Sequence, residues 1–294
     1  HDHPDCYPTP EEYFGAFAEF VQRLKPGGIL FISLDPDTAR QLTASLPPNT
    51  RAWTYGTNPE ADYSAQNLVH NDHGGFDYDA FWQPATGEKV FLTHISLQVP
   101  GEHNVRNSLA ALAVMHQQAP DGQREEQLRR YAQGLAAFSG TGRRFDILGE
   151  IGGITVIDDY AHNPTKIQAS LAAARALYPQ RRIWAVWQPH TFSRTRAFQD
   201  EFSRSFKDAD QVLVSEIYAA REKAKDFDFL SAEQVVKTMP HPQARFIPDL
   251  QDIGDYLIQN LHAGDVLLVL SAGDADQISA RILAYLRERT DQHA

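Results

Sequence analysis

Residues 140–165 read GTGRRFDILGEIGGITVIDDYAHNPT, and this segment indicates the fold class of the second half of the chain. Two arginines, Arg143 and Arg144, precede a pair of short apolar runs separated by glycines, a pattern typical of a β-hairpin. The second run ends in Asp158 and Asp159, just before a segment with helical character. Polar residues at the end of a buried strand are typical of the ligand-binding edge of an α/β sheet, so the segment predicts an α/β fold.

The residues that follow alternate between strand-like and helical segments. RIWAVWQ, QVLVSEIY and DVLLVLSAG are buried-strand patterns, and the segments between them have helical periodicity. This alternation predicts a parallel sheet that is covered by helices on both faces. We place a domain boundary near Gly142, which divides the chain into residues 1–142 and residues 143–294.

The first half of the chain has a different pattern. GGILFISLD followed by TARQLTASL predicts a strand and a helix, and an earlier helix is predicted after Thr9 and Pro10, which suit the N-cap and the first helical position. Four short strand-like segments separated by turn residues lie between residues 52 and 100 and predict a small antiparallel sheet. Helices are predicted over residues 103–117 and 123–137.

Composition excludes several classes of protein. The chain is 42% hydrophobic and has no apolar run near the roughly 18 residues that a membrane span needs, so no membrane insertion is expected. Acidic residues outnumber lysine and arginine by 38 to 27, and this balance argues against nucleic acid as a partner. The single cysteine, Cys6, and the lack of a signal segment predict a cytoplasmic protein. The first residues, HDHPDCYPTPEE, have the character of a loop after a strand, so we expect the sequence to start inside a larger protein.

Polar side chains follow several predicted strands of the second half. Because the carboxyl ends of parallel strands meet at one edge of a sheet, these side chains are expected to converge into a site. For any single residue the alternative is helix capping or solvation, with Asn163, Thr165 and Asp274 as the best capping candidates. The strand-end residues are Asp158, Asp159, Tyr160, His162, Gln188, His190, Ser193, Arg194, Arg196, Glu216, Tyr218, Ser271 and Asp274.

Two further segments carry candidate ligand-binding residues. GEHNVRNSLAALAV places His103, Asn104 and Asn107 on one face at the start of a helix, where asparagine amides suit an adenine edge and helix capping is the alternative. HDHPD offers two imidazoles and two carboxylates, which suit a metal ion, although a solvated loop is the alternative without a spaced partner motif. The chain contains no glycine-rich phosphate-binding loop.

Together these stretches resemble the Mur ligases, the ATP-dependent amide-forming enzymes of peptidoglycan synthesis. Within the family, GTGRRF combined with QPHTFSRT is most similar to the members that add L-alanine to UDP-N-acetylmuramate, and less similar to those that recycle murein tripeptide. The motifs occur in order along essentially the whole chain: DHPD, GEHNVRNSLAALAV, FSGTGRRFDILGE, VIDDYAHNPT, WQPHTFSRTRAFQDEF, SEIYAARE and LSAGDADQI.

The resemblance implies a domain organisation. Residues 1–142 would be part of the central ATP-binding domain, with β-α elements and a small antiparallel sheet, and residues 143–294 would be the Rossmann-like C-terminal domain that receives the amino acid. The resemblance also implies that a UDP-sugar domain, the phosphate loop and an acidic magnesium ligand belong to an N-terminal portion missing from this sequence. The chain alone is therefore expected to be an inactive fragment.

The resemblance also implies roles for individual residues. His3 would help to hold Mg2+, Arg144 would contact phosphate, and Asp159 would reach the ribose of ATP. The family histidine and glutamate are replaced here by Asn163 and Lys166. The residues implied on the adenine side are His103, Asn104 and Asn107. The residues implied at the amino acid and the substrate carboxylate are Tyr160, His162, His190 and Arg194. The implied catalytic residues are Arg144, His162, His190 and Arg194, with the role of the base left open between the two histidines.

The implied reaction begins when the lactyl carboxylate of UDP-N-acetylmuramate takes the γ-phosphoryl group of ATP, after which L-alanine attacks the acyl phosphate. Such a transfer relies on positioning and charge neutralisation more than on a protein nucleophile. The alternative from another class is a noncatalytic nucleotide- or peptide-sensing module derived from the same fold. The absent phosphate loop favours the module, whereas the retained arginines, histidines and asparagines favour the ligase.

Overall fold

A computed structural model describes residues 2–4, 6–35, 37–120 and 122–291. The chain folds as two compact units. The first unit is Pro8–Ser139, and the second consists of the residues from Gly140 onward together with the short segment Asp2–Tyr7. Residues 2–7, which the sequence-based division grouped with the first half, therefore pack with the second unit.

The first unit is built on one five-stranded mixed sheet. Its elements are α1 (Pro10–Gln22), β1 (Ile29–Ser33), α2 (Asp37–Leu42), β2 (Arg51–Gly56), β3 (Tyr63–His70), β4 (Phe76–Trp82), β5 (Val90–Ser96), α3 (Glu102–Gln118) and α4 (Arg124–Ala136). The strand order is β1-β2-β3-β4-β5. Strands β1, β2 and β3 pair in parallel, whereas β3, β4 and β5 pair antiparallel.

The first unit differs from the expectation in one detail. The segment AWTYG, expected in the antiparallel sheet, lies in β2 and pairs in parallel with β1. The reason is that α2 carries the chain back across the sheet, so that β2 runs in the same direction as β1. The predicted cap of α1 is confirmed, because the Thr9 side chain and Glu12 form a reciprocal capping box with Pro10 at the first position.

The core of the first unit lies between its sheet and α3. The α3 residues Val105, Leu109 and Leu112 are fully buried, at the helical spacing that places them on one face. They pack against Tyr78 and Ile95, which point to the same side of the sheet. This packing holds the first turn of α3 beside the sheet.

The second unit contains a six-stranded sheet. Its elements are β6 (Asp146–Ile151), β7 (Ile154–Asp159), α5 (Pro164–Leu177), β8 (Ile183–Trp187), α6 (Phe192–Ala197), α7 (Gln199–Ser203), β9 (Gln211–Val214), α8 (Ala232–Thr238), β10 (Ala244–Phe246), α9 (Leu250–Asn260), β11 (Val266–Leu270) and α10 (Asp276–Asp291). The strand order is β10-β9-β8-β11-β7-β6, and every strand is parallel to its neighbour except β6, which forms the predicted hairpin with β7.

Both faces of the second sheet are covered, as the alternation of strands and helices predicts. All five residues of β8 are buried, and they alternate between two cores. Ala185 and Trp187 lie in one core, and Trp184 and Val186 lie in the other. Complete burial of a side chain such as that of Val186 stabilises a fold by roughly 1.5–3 kcal/mol. The α/β fold class predicted from the sequence is confirmed.

One predicted helix is divided in the structure. The sequence predicted a helical segment between RIWAVWQ and QVLVSEIY, and the structure has two helices there, α6 and α7, which are separated at Phe198, where φ is -120° and ψ is 27°. The break allows Phe192 and Phe202 to lie in the same core. Among the described residues, every helix is too short or too polar to cross a lipid bilayer.

Candidate active site

The carboxyl ends of β7 and β8 lie on either side of β11, and the residues that follow them meet there. The rings of Tyr160 and His162, after β7, are 5.1 Å apart. The His162 ring lies 6.2 Å from that of His190, which follows β8. His190 Nδ1 accepts a hydrogen bond from Arg194 Nη1 at 3.2 Å. The structure thus brings four of the predicted site residues into one cluster.

A strained turn positions His190 and Arg194. Thr191, between them, has a φ of 68°, which is rare for a β-branched residue and indicates a conformation imposed by its surroundings. Its backbone N–H donates to the Tyr218 carbonyl at 2.9 Å, and its own carbonyl accepts from Thr195 Oγ1 at 2.8 Å. The turn starts α6 so that the Arg194 side chain reaches back to His190.

Arg194 is the most deeply buried cation of the cluster, with 4% of its surface exposed. Its Nη2 donates to Asp2 Oδ1 at 2.9 Å. Its Nε is also buried but has no hydrogen-bond partner among the described residues. A buried guanidinium with a donor still available is suited to binding a carboxylate through two parallel hydrogen bonds.

Asp2 joins this cluster from the start of the chain. Its Oδ2 lies 3.3 Å from Asn163 Nδ2, 3.6 Å from Lys166 Nζ and 3.9 Å from His162 Nε2. Burial alone would raise the pKa of Asp2, but the backbone N–H of His3 and the charges of Arg194 and Lys166 outweigh that effect and hold the pKa at about 2. Asp2 is therefore a charged partner of the site.

His162 is an uncharged imidazole at neutral pH. Burial lowers its pKa to about 4, and the nearby charges of Lys166 and Arg194 act in the same direction. Its Nδ1 lies 2.7 Å from the Tyr160 carbonyl oxygen, which can only accept, so Nδ1 carries the proton and Nε2 carries the lone pair. The 3.9 Å contact with Asp2 is consequently not an ion pair at neutral pH.

The adjacent arginines Arg143 and Arg144 have different environments. Arg143 is half-buried, and its Nη2 donates to the carbonyls of Ser271 and Gly273 at 2.8 and 3.3 Å. Arg144 is exposed, and its guanidinium carbon lies 5.9 Å from the centre of the Tyr160 ring. The geometry therefore leaves Arg144 accessible to a ligand, whereas Arg143 holds the loop after β11.

Two predicted carboxylates are engaged inside the fold. Asp158 is buried and accepts a hydrogen bond from Ser279 Oγ, and burial raises its pKa. Asp159 Oδ2 accepts from the Phe145 backbone N–H at 3.0 Å and from Ser170 Oγ at 2.8 Å. Asp159 thus anchors both the residue that precedes β6 and helix α5, and its contact with ribose stays a prediction.

Several other strand-end residues stabilise loops. Gln188 Oε1 accepts from Ser271 Oγ and from the backbone N–H groups of Asp274 and Ala275. Glu216 caps α8 through Ser231 Oγ and the backbone of Ala232. The capping alternative is the better interpretation for these residues.

Local stabilisation also accounts for Ser193, which contacts Glu222, and for Asn163, which caps α5. Arg196 forms an exposed pair with Asp228 at 3.2 Å.

The adenine-side candidates lie at the start of α3 in the first unit. Asn107 is exposed, and its Nδ2 is 3.5 Å from Asn104 Oδ1. Asn104 Nδ2 donates to the Pro100 carbonyl at 2.8 Å, and the His103 ring covers Gly101, where φ is 90° and an added Cβ would lie 2.6 Å from the ring. The contact between Asn104 and Pro100 therefore holds the loop before α3 in place, and the Asn107 amide is exposed on the first two turns of α3.

Profiles of protein families match most of the chain. Residues 1–115 match the Mur ligase middle domain, and residues 143–273 match the domain described as Mur ligase, glutamate ligase domain. The chain belongs to the Mur ligase family. The resemblance inferred from the sequence motifs is thereby confirmed.

Curated relatives of this Mur ligase chain have similar sequences over nearly all of its length. UDP-N-acetylmuramate--L-alanine ligase from Alkaliphilus metalliredigens is 37% identical across 96% of this chain and 58% of the relative. The ligase of the same name from Kineococcus radiotolerans is 36% identical across 98% of this chain and 58% of the relative. The chain thus spans less than two thirds of the length of these relatives.

A solved structure supports the fold of this Mur ligase chain. The UDP-N-acetylmuramate-alanine ligase MurC from Thermotoga maritima superposes with a TM-score of 0.70 at 22% identity. The match covers 98% of this chain and 58% of that protein. At 22% identity, this similarity supports the fold and not a shared activity.

The predicted metal ligand of the Mur ligase chain, His3, is exposed and has a φ of 58°. Its neighbour Asp5 lies outside the described residues. Within the described part of the chain, no group of three or more histidine, cysteine, aspartate or glutamate side chains is arranged to hold a metal ion. His3 therefore offers a single donor, and its role at Mg2+ stays a prediction.

Sequence reasoning missed the part that Asp2 plays in this Mur ligase. HDHPD had been interpreted as a metal site or a solvated loop, yet the Asp2 side chain is only 14% exposed and contacts Arg194. The available signal was the pair of departures from the family motif, because both Asn163 and Lys166 contact Asp2. Arg143 was noted in the motif, but its anchoring role depends on contacts with residues near position 272.

Proposed function

We propose that this chain forms the adenine-binding and amino-acid-binding parts of an ATP-dependent ligase that joins L-alanine to UDP-N-acetylmuramate through an acyl phosphate. The observation that carries this function is the buried Arg194, which has an unpartnered Nε and lies beside His190 and His162. The names of the relatives at 36–37% identity support the choice of L-alanine. We also propose that the protein is cytoplasmic, which the single cysteine supports.

The cluster in the second unit supplies the chemistry for the amino acid. Arg194 binds a carboxylate through charge-assisted hydrogen bonds. His162 is uncharged, and its Nε2 lone pair accepts a proton or a hydrogen bond from the amino group. Because a pKa of about 4 makes His162 a weak base, its stronger contribution is to orient an amine that is already neutral.

The nucleotide contacts are divided between two groups of residues. The adenine edge is assigned to Asn104 and Asn107 with His103, and the exposed amide of Asn107 supports this assignment. Arg144 is exposed and positively charged, which suits phosphate, and Asp159 is assigned to ribose. The described residues do not form a set of magnesium ligands, and His3 offers a single donor.

Two alternatives remain as rivals. A ligase that recycles murein tripeptide would use the same carboxylate receptor but a longer substrate. A sensing module derived from the same fold would bind nucleotide or peptide without turnover. The histidines and arginines of the cluster favour the ligase, because binding alone does not require a neutral histidine beside a carboxylate receptor.

Ligand binding to the 294-residue chain tests this function. We expect AMP to bind with a dependence on Asn107 and L-alanine to bind with a dependence on Arg194. Arg194→Met should abolish the heat of L-alanine binding and leave AMP binding intact, and Asn107→Ala should do the reverse. Stronger binding of L-alanyl-γ-D-glutamyl-diaminopimelate than of L-alanine would favour the recycling ligase, and binding of neither amino acid nor peptide would contradict the proposed function.

A further inference from the structure

The carboxylate of Asp2 occupies the position on Arg194 that a ligand carboxylate would need. Asp2 Oδ1 accepts from Arg194 Nη2 at 2.9 Å and from the His3 backbone N–H at 2.9 Å. A side-chain carboxylate and an amino-acid carboxylate have the same charge and the same hydrogen-bonding geometry. Binding of an amino acid to Arg194 therefore requires competition with a group of the protein itself.

The Asp2 contact uses only part of the guanidinium fork. One nitrogen, Nη2, donates to Asp2, whereas the adjacent Nε is buried without a partner among the described residues. A ligand carboxylate that accepts from Nε and Nη2 together would form the bidentate arrangement, which is stronger than a contact through one nitrogen. The unpartnered Nε thus offers a ligand carboxylate a hydrogen bond on Arg194 that Asp2 does not make.

A second cation lies within reach of Asp2. Lys166 Nζ is 3.6 Å from Asp2 Oδ2, and Asn163 Nδ2 is 3.3 Å from the same oxygen. Both residues belong to the start of α5, where Asn163 Oδ1 also caps the helix by accepting from the Lys166 backbone N–H. A carboxylate in place of the Lys166 ammonium group would repel Asp2, so the positive charge at this position favours the contact.

We propose that Asp2 is an internal competitor for the amino-acid carboxylate at Arg194, and that Lys166 with Asn163 retains Asp2 after its displacement. This step rests on the proposed function, because it takes Arg194 as the receptor of the carboxylate. Asp2 acts through Arg194 and Lys166 acts through Asp2, so both are positioning residues. A substrate then binds when its bidentate contact outcompetes Asp2, while the displaced Asp2 carboxylate keeps a positive partner.

Nitrogen-15 NMR of the arginine Nε–H groups in the 294-residue chain tests the competition directly. Arg194→Lys identifies the Arg194 resonance, and L-alanine is titrated with L-alaninamide, which lacks the carboxylate, as the matched ligand. We expect L-alanine but not L-alaninamide to shift the Arg194 signal. Asp2→Asn keeps an acceptor for Nη2 without the charge and should tighten L-alanine binding by about tenfold.

The Lys166→Gln variant tests whether Lys166 holds the Asp2 carboxylate after a ligand has displaced it from Arg194. It should weaken L-alanine binding about threefold in the native background, and it should have no effect in the Asp2→Asn background, where no released carboxylate needs a partner. Asp228→Asn, which removes an exposed carboxylate paired with Arg196, is the charge-matched control and should leave L-alanine binding unchanged. Thermal melts of each variant report folding, and Asp2→Ala provides a second test of Asp2.

The outcomes separate the competition from the proposed function. Equal or weaker L-alanine binding by both Asp2 variants would show that Asp2 supports Arg194, and would overturn the competition while the L-alanine site stands. If acetate binds the Asp2→Asn protein more tightly than the native protein but L-alanine binds no better than acetate, the competition stands and the amino-acid assignment fails. No carboxylate binding by any variant would overturn both.

Discussion

At the scale of single residues, Arg143 and Arg144 show how two neighbours of the same type have different environments. Arg143 donates to two carbonyls of the loop after β11 and lies 3.8 Å from Asp276 Oδ2. Arg144 is exposed and contacts the Tyr160 ring. Removal of Arg143 should therefore affect stability, whereas removal of Arg144 should affect the reaction.

We predict that Arg144→Ala lowers kcat by on the order of 10²-fold in a ligation-competent form of the enzyme that contains this chain, because a charge contact in the transition state is lost. Arg144→Lys should restore little, since an ammonium group cannot reproduce the planar fork of guanidinium. Steady-state kinetics with a parallel thermal melt checks the prediction. Arg204→Ala, at an exposed arginine after α7, is the control, and near-normal turnover by a folded Arg144→Ala protein would remove Arg144 from the mechanism.

His116 is a buried histidine in the first unit that takes no part in the proposed reaction. Gln117 Nε2 donates to the Tyr63 hydroxyl oxygen at 2.7 Å, so the Tyr63 O–H is left to donate to His116 Nδ1 at 2.8 Å. Burial lowers the pKa of His116 to about 4, and the charge of Arg124 adds to this effect. Protonation would cost both the burial of a charge and the Tyr63 hydrogen bond.

We predict that His116 makes the first unit less stable in acid. The unfolded chain binds the proton near pH 6.5 and the folded chain only near pH 4, so the free energy of unfolding falls as the pH is lowered through this range. Between pH 7 and pH 4 the native protein should lose about 1 to 3 kcal/mol more than His116→Gln. Urea unfolding at several pH values measures this difference. Identical slopes for the native and His116→Gln proteins would contradict the prediction.

At the scale of elements, the loop between β11 and α10 is held from two sides. Gln188, after β8, accepts hydrogen bonds from the Asp274 and Ala275 backbone N–H groups at 3.0 and 3.2 Å. Arg143, before β6, donates to carbonyls of the same loop. Gly273 is required at this point, because an added Cβ would lie 2.4 Å from Gln188 Oε1. The ends of three strands are thereby locked together beneath the site.

We predict that Gln188→Leu destabilises the second unit by about 2 to 4 kcal/mol, because buried backbone donors lose their acceptor. Urea unfolding gives the change in free energy, and limited proteolysis should show faster cleavage within residues 271–275. Gln234→Leu, on the exposed side of α8, introduces the same side chain without removing a buried contact and should change stability by less than about 0.5 kcal/mol. Equal stability of the two variants would show that the Gln188 contacts are unimportant.

At the scale of the whole molecule, the 294 residues include the residues that we propose for adenine and L-alanine but no glycine-rich loop for the β- and γ-phosphates. We predict that the 294-residue chain binds AMP and L-alanine yet releases no phosphate above background when ATP, L-alanine and UDP-N-acetylmuramate are supplied together. A coupled phosphate assay measures the release, with AMP binding on the same sample as the control for folding. Turnover that depends on all three substrates would contradict this prediction.

The sequence was sufficient for features that depend on neighbouring residues. The Thr9 cap, the hairpin around residues 152–153 and most of the strands and helices are local features, so they were predicted correctly, and the ordered motifs identified the family. The convergence of Tyr160, His162, His190 and Arg194 followed from the rule that parallel strands end at one sheet edge.

Tertiary packing was needed for features that depend on distant residues. Contacts between positions far apart in sequence give Arg143 and Arg144 different environments. They also bring Asp2 to Arg194 across 192 positions and place β2 parallel to β1. The low pKa of His162 likewise arises from burial, which no local pattern reports. The physical reason is that side-chain type and periodicity are properties of the chain, whereas burial, ion pairing and pKa are set by the atoms that folding brings into contact.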